Sequence, residues 1–87
     1  MKVYMKPVKM VAWFTENGVP TPVRFQMKED DKEFLTIKVG NISERKEEKL
    51  AGNRMLIYRC QSEIEGTEKV YELKYEIGTC KWYLYKI

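Results

Sequence analysis

The strongest constraint on the fold is the alternation of apolar and polar residues in the last third of the chain. Two alternating stretches, residues 54–62 and 68–77, flank a turn at Glu65-Gly66. Pairing them symmetrically about this turn puts the apolar residues of both stretches on one face. The predicted pairs are Ser62 with Lys69, Cys60 with Tyr71, Tyr58 with Leu73, and Leu56 with Tyr75. A slip of one residue would separate these apolar residues, so the sequence predicts an antiparallel hairpin in this register.

The C-terminal residues 81–87 continue the pattern as one more strand. If this strand folds back on the hairpin, Trp82 faces Tyr75 and Leu84 faces Leu73, which predicts that Trp82 and Leu84 are core residues. We expect the centre of the core to consist of Tyr58, Tyr71, Leu73 and Trp82. The opposite face would then carry Glu72, Lys74, Glu76, Lys81, Tyr83, Tyr85 and Ile87.

Three further strands are predicted in the first half of the chain, where β-branched and aromatic residues recur between turn signals. They cover residues 3–15, residues 23–28 and the stretch that begins at Glu33. Pro7 interrupts the first strand, and Asn17-Gly18 is a strong turn signal after it. The polar cluster at residues 29–32 is predicted to reverse the chain before the third strand.

The alternation in the third strand slips by one position at Gly40. Val39 and the next apolar residue, Ile42, are three positions apart. A glycine at such a slip is typical of a β-bulge, which bends a strand and helps a small sheet to curl. Residues 43–52 form either a continuation of the bent strand or a short helical turn, and we favour an extended strand that ends in a loop.

These elements predict an all-β fold of about six antiparallel strands, curled as an SH3-like or similar small, partly open barrel. Residues 1–87 are expected to form a single small β domain, because a chain of this length has room for one core. The aromatic content of 13% supplies the buried area that so small a core needs.

The composition excludes several kinds of catalytic and metal chemistry. The chain has no histidine, which removes Ser-His-Asp and Cys-His catalysis and the commonest metal ligand. Cys60 and Cys80 cannot complete a zinc site by themselves, and we expect both to pack as inert side chains. Glu72 and Glu76 alternate with Lys74, a pattern that favours cross-strand ion pairs over acid–base catalysis. We therefore predict a protein that is not an enzyme and has no cofactor and no metal.

The N-terminal stretch bears on the location of the protein. Lysines at positions 2, 6 and 9 interrupt its apolar residues, so it does not resemble a signal peptide. No run of the chain approaches the roughly 20 apolar residues of a membrane span. We expect a cytoplasmic protein without a membrane partner, in which both cysteines are reduced.

Positive charge is concentrated near the N-terminus. Residues 1–28 carry five basic side chains and a single acidic one, Glu16, while the formal net charge of the whole chain is +3. A basic segment is a mild indication of nucleic-acid binding. The alternative is that its lysines keep a sheet soluble and block pairing at its edges.

Three short motifs give the chain a resemblance to a known group of proteins. They are Pro22-Val23-Arg24-Phe25, Tyr71-Glu72-Leu73 and Trp82-Tyr83-Leu84. Together, at these separations, they resemble short β-rich bacterial proteins of unknown function, some of which are encoded near error-prone DNA polymerases. The resemblance covers roughly residues 20–87; it implies no catalytic residues and favours work close to DNA.

Two functions remain open. The first is a protein-interaction module or homodimer, because residues 10–14 are apolar on both faces and Tyr83 and Tyr85 lie opposite the core. The second is single-stranded nucleic-acid binding, with the two tyrosines stacking on bases beside lysines that contact phosphates. The candidate surface is made of Tyr83, Tyr85, Lys74, Lys81 and Trp13. The protein partner ranks first, because Glu72 and Glu76 would repel phosphate.

Overall fold

The computed structural model describes residues 1–28 and 34–87, and within these residues the chain forms seven antiparallel strands in one curled sheet. The strands are β1 (Val3–Phe14), β2 (Pro20–Lys28), β3 (Phe34–Lys38), β4 (Asn41–Leu50), β5 (Asn53–Ile64), β6 (Thr67–Glu76) and β7 (Lys81–Lys86). Their order across the sheet is β3-β2-β1-β7-β6-β5-β4. The predicted all-β, partly open barrel is confirmed, with seven strands in place of about six. The predicted chain reversal at residues 29–32 lies outside the described residues.

The predicted registers of the C-terminal strands are confirmed. Tyr58 lies opposite Leu73 across β5 and β6, and Trp82 lies opposite Tyr75 across β6 and β7. The alternation fixed these pairings because one face of each strand is buried, so that a slipped register would expose the apolar side chains.

The core lies on the concave side of the curled sheet. Tyr71, Leu73 and Leu84 are 0% exposed, and Tyr58 is 2% exposed. The rings of Tyr75 and Trp82 are tilted against each other with centroids 4.8 Å apart, a favourable geometry for an aromatic pair. The centre predicted from the sequence is therefore confirmed. Phe25 of β2 packs on it from the other side, with its ring centroid 5.7 Å from that of Tyr71.

The extra strand arises at Gly40, where the sequence predicted a bulge within one strand. The chain instead leaves β3, at one edge of the sheet, and enters β4, at the other edge. Two hydrogen bonds hold this corner: the Val39 amide donates to the Val23 carbonyl oxygen at 2.9 Å, and the Gly40 amide donates to Ser62 Oγ at 3.1 Å. The corner brings the two edges together and so curls the sheet.

The choice between strand and helix after Gly40 is settled in favour of the strand. Residues Asn41–Leu50 form β4, which pairs with β5 through a hairpin turn at Ala51-Gly52. The positive φ of both turn residues, 50° and 83°, suits a tight hairpin connection.

Two local predictions are wrong. Pro7 does not interrupt the first strand, since β1 runs through it and pairs it with Tyr83 of β7. Ile87 packs against the core and not on the outer face. The reason is a register shift in β7, where Leu84 faces Leu73 but Lys86 faces Glu72, so that Tyr85 is an extra residue that reverses the alternation after it.

The two cysteines are both free thiols but differ in their surroundings. Cys60 is buried in the core, as expected for a packing residue. Cys80 is exposed in the turn between β6 and β7, so its predicted packing role is wrong. The part of the chain that the structure describes contains no helix with the length and apolarity needed to cross a membrane.

Candidate nucleic-acid interface

Four of the five residues of the predicted surface, Lys74, Lys81, Tyr83 and Tyr85, lie on the outer face of β6 and β7. Lys74 lies directly opposite Tyr83, and Lys74 Nζ lies 3.9 Å from the centroid of the Tyr85 ring. The sequence placed these residues on one face because they alternate with the core residues Leu73, Tyr75 and Leu84.

The contacts of Lys74 are made within the chain. Its Nζ lies 3.0 Å from Glu48 Oε2, and the residue is only 7% exposed. Lys86 Nζ lies 4.8 Å from the same Tyr85 ring, and Tyr83 and Tyr85 are both half-buried. The Tyr85 ring is therefore covered in part by lysines of its own sheet. The N-terminal segment pairs with β7 as β1.

Lys81 lies at the end of this same face, and Trp13 lies elsewhere. Lys81 is exposed at the start of β7, opposite Glu76. The pKa of the Glu76 carboxyl is lowered, chiefly by a hydrogen bond from Thr79. Trp13 is on β1, six positions beyond Pro7, which pairs with Tyr83; six residues of strand span about 20 Å. The structure does not bring Trp13 to the tyrosines.

Trp13 belongs to a different surface, the outer face of β1, β2 and β3, which we call the basic face. Its members are Lys9, Val11, Trp13, Thr21, Arg24, Gln26, Lys28, Phe34, Thr36 and Lys38. All of them alternate with residues that point to the core, such as Met10, Phe25 and Ile37. Pairing of the three strands brings side chains that are distant in the sequence into one surface.

The strand register arranges the basic face in four rows across the sheet. In the first row Trp13 pairs with Thr21. The second consists of Val11, Arg24 and Lys38, and the third of Lys9, Gln26 and Thr36. The fourth is the pair of Lys28 and Phe34. Side chains two residues apart on a strand are separated by about 7 Å, so the rows extend over about 20 Å.

Charge is divided unevenly between the two halves of the sheet. Among the described residues, the part up to Lys38 carries six basic side chains and one acidic one, Glu16 in the β1–β2 turn. The part from β4 onwards carries nine basic and eight acidic side chains. Within the described residues the basic face holds four cations and no carboxylate, and no ion pair found among them involves these cations.

The same face exposes two large aromatic side chains. Trp13 and Phe34 are each 55% exposed, and Val11 is 49% exposed. Lys9 Nζ and Lys28 Nζ lie 5.5 Å and 5.9 Å from the centroid of the Phe34 ring. These distances are within the range of cation–π attraction, so both lysines attract the ring.

Two shallow depressions run along this face. One, of about 260 Å³, is lined by Lys9, Val11, Arg24, Gln26 and Thr36 among others. The other, of about 450 Å³, is lined by Lys6, Lys9, Gln26, Lys28 and Phe34 among others. They share Lys9 and Gln26, so together they form a groove from Arg24 to Phe34.

The buried thiol of Cys60 is not available as a nucleophile. Burial raises the pKa of the Cys60 thiol to about 12, so this buried sulfur stays protonated and is a poor nucleophile. No three His, Cys, Asp or Glu residues within 1–28 and 34–87 are grouped so that they could hold a metal ion.

The sequence indicated Trp13 and the basic character of residues 1–28, but not that these side chains share one face. Arg24, Gln26 and Lys28 form the polar half of an alternating strand, a signal that was present in the sequence. Their relation to Phe34 and Lys38 depends on β2 pairing with β3, which the alternation alone does not specify.

Comparison of the chain with protein-family models, with curated proteins and with solved structures gave no significant match.

Proposed function

We propose that this protein is a non-catalytic module that binds single-stranded nucleic acid on the basic face. The observation that carries the proposal is the coincidence, on one surface, of four cations and two exposed aromatic side chains without a carboxylate among the described residues. This is the combination that single-strand binding requires: positive charge for the phosphates and ring faces for the bases.

Each part of the face has a distinct task. Arg24, Lys38, Lys9 and Lys28 attract phosphates, and this attraction supplies affinity without sequence preference. Trp13 and Phe34 offer faces on which unpaired bases stack, each stacked base contributing about 1 to 3 kcal/mol. Because every base has such a face, we expect a binder with little sequence specificity.

The charge distribution also favours this face over the predicted tyrosine surface. Lys74 is engaged by Glu48 at 3.0 Å, and Glu72 shares the outer face of β6 with it. Carboxylates at that position repel phosphate, whereas within the described residues the basic face has none. The resemblance of three short motifs to proteins encoded near error-prone DNA polymerases also favours a function close to DNA.

The test compares two double variants that remove the same charge from different halves of the sheet. Arg24→Gln with Lys38→Gln changes the second row of the basic face, and Lys46→Gln with Lys49→Gln changes exposed positions of β4. Fluorescence anisotropy of a labelled oligothymidine at low salt should show binding by the wild type, about tenfold weaker binding by the first variant and little change in the second. Absence of binding by the folded wild type would refute the proposal.

A protein partner or a second copy of the chain, ranked first from the sequence, is the second candidate. The end of β1 favours it, because Trp13 and Phe14 are 55% and 53% exposed on its two faces, and exposed large apolar side chains are typical of protein interfaces. Sedimentation analysis tests self-association: a concentration-dependent mass near twice 10.4 kDa would support a homodimer. A constant monomer mass would exclude a homodimer and leave a different protein as the partner.

A further inference from the structure

We infer that the ligand of the basic face is an extended single strand of at least four nucleotides, lying diagonally from Trp13 to Phe34. This inference rests on the proposed function and specifies its substrate. The distance between the two aromatic side chains disfavours a mononucleotide or a dinucleotide as the ligand, and the need for free base faces disfavours a duplex.

The positions of the two aromatic side chains determine the path of the nucleic-acid strand across the face. Trp13 lies in the first row, on β1, and Phe34 lies in the fourth row, on β3. Three row steps and two strand spacings separate them, which corresponds to about 20 Å along the strands and about 10 Å across them. A ligand that stacks on both rings must therefore cross the face diagonally.

The groove follows the part of this path that runs from the second row to the fourth. It begins beside Val11 and Arg24, continues past Lys9 and Gln26, and ends at Phe34. Lys9 and Lys28 flank the Phe34 ring at 5.5 Å and 5.9 Å from its centroid. A base stacked on Phe34 would therefore have Lys9 and Lys28 close to the phosphates on either side of it.

The spacing of the four rows sets the minimum length of the ligand. Row steps of about 7 Å are comparable with the distance between successive phosphates of an extended strand, so four rows accommodate one nucleotide each. Four nucleotides is the lower end of the roughly 4 to 16 that single-strand sites of small barrels occupy. One or two nucleotides would reach only one of the aromatic anchors.

A duplex does not fit this arrangement. Its bases are stacked inside the helix and leave no free face for Trp13 or Phe34. We therefore expect duplex DNA to bind through charge alone, and more weakly than a single strand.

The experiment measures the affinity of oligothymidines of two, four, six and eight nucleotides by competition against a labelled strand at low salt. Affinity should rise steeply from two to four nucleotides and only slowly thereafter, and a duplex of eight base pairs should compete poorly. Trp13→Ala should weaken binding of six nucleotides by about 5- to 150-fold, the equivalent of one lost base stack, while binding of two nucleotides at the Phe34 end stays unchanged.

The matched control is Phe14→Ala. Phe14 is the next residue and is 53% exposed, against 55% for Trp13, but it lies on the opposite face of β1, against Tyr75. This variant should bind all lengths like the wild type. If two nucleotides bind as tightly as six, or if Phe14→Ala and Trp13→Ala weaken binding equally, the diagonal path is wrong although single-strand binding stands. If no oligonucleotide binds at any length, the proposed function fails as well.

Discussion

Gly40 lies so close to Gln61 that a β-carbon at position 40 would stand 2.7 Å from the Gln61 carbonyl oxygen. The constraint is steric, because the neighbouring atoms belong to a backbone that is fixed in the pairing of β5 with β4 and β6. Glycine is thus the residue that lets the chain pass from one edge of the sheet to the other. The curvature of the barrel, and with it the shape of the basic face, depends on this corner.

We predict that Gly40→Ala lowers the free energy of unfolding by about 1 to 3 kcal/mol, the usual cost of forcing an extra carbon into a packed site. Gly78→Ala is the control, since a β-carbon at Gly78 meets nothing within 4 Å. Urea unfolding measures both. Equal stability of the two variants would show that the corner tolerates a side chain.

We predict that Leu73→Ala lowers the free energy of unfolding by about 2 to 5 kcal/mol, because Leu73 is 0% exposed at the centre of the core. Val70→Ala, on the same strand but 40% exposed, should cost less than about 0.5 kcal/mol. A loss below half a kcal/mol for Leu73→Ala in denaturant unfolding would mean that the register of β5, β6 and β7 is incorrect.

We predict that the protein loses stability as the pH rises from 10 towards 12. Burial raises the pKa of Tyr58 and of Tyr71 from 10.0 to about 12. The folded state therefore retains protons that the unfolded state releases, so the free energy of unfolding is undiminished below pH 10 and falls above it. Urea titrations across this range should show the decrease, and Tyr58→Phe with Tyr71→Phe should flatten it. An unchanged slope in that double variant would assign the decrease to other groups.

The sequence predicted the half of the fold in which one face of each strand is buried. The hairpin register around Leu73 and Trp82 follows from alternation, because a slip by one residue would turn apolar side chains to water. At Gly40 the sequence predicts a bulge. It shows the slip in alternation but not which strands β3 and β4 pair with. Likewise, the shift at Tyr85 has no sequence signal that would distinguish it from continued alternation.

The candidate site was harder to predict, for a physical reason. Lys74, Tyr83 and Tyr85 lie on adjacent strands of a hairpin, so local pattern brings them together, but the contact of Lys74 with Glu48 joins residues of two non-adjacent strands. The basic face depends on the pairing of β2 with both β1 and β3. Trp13 could be recognised as unusual, whereas its neighbours could be identified only once that pairing was known.

We predict that Tyr83→Ser with Tyr85→Ser lowers stability but leaves oligonucleotide affinity within about twofold of the wild type. The Tyr85 ring lies 3.9 Å from Lys74 Nζ, and loss of a desolvated cation–π contact costs about 2 kcal/mol. Denaturant unfolding and anisotropy measure the two effects, and sedimentation reports on self-association. A folded double variant that no longer binds oligonucleotide would move the binding site to the tyrosine surface.

The most direct test of the account is the salt dependence of oligothymidine binding. Each phosphate contact to a single strand contributes about −0.7 to the slope of log K against log salt concentration. Four contacts from Lys9, Arg24, Lys28 and Lys38 give a slope of about −3 for the wild type, and Arg24→Gln with Lys38→Gln should bring it to about −1.4. A slope near zero would contradict nucleic-acid binding on this face. So would a slope that becomes shallower in Lys46→Gln with Lys49→Gln but not in the basic-face variant.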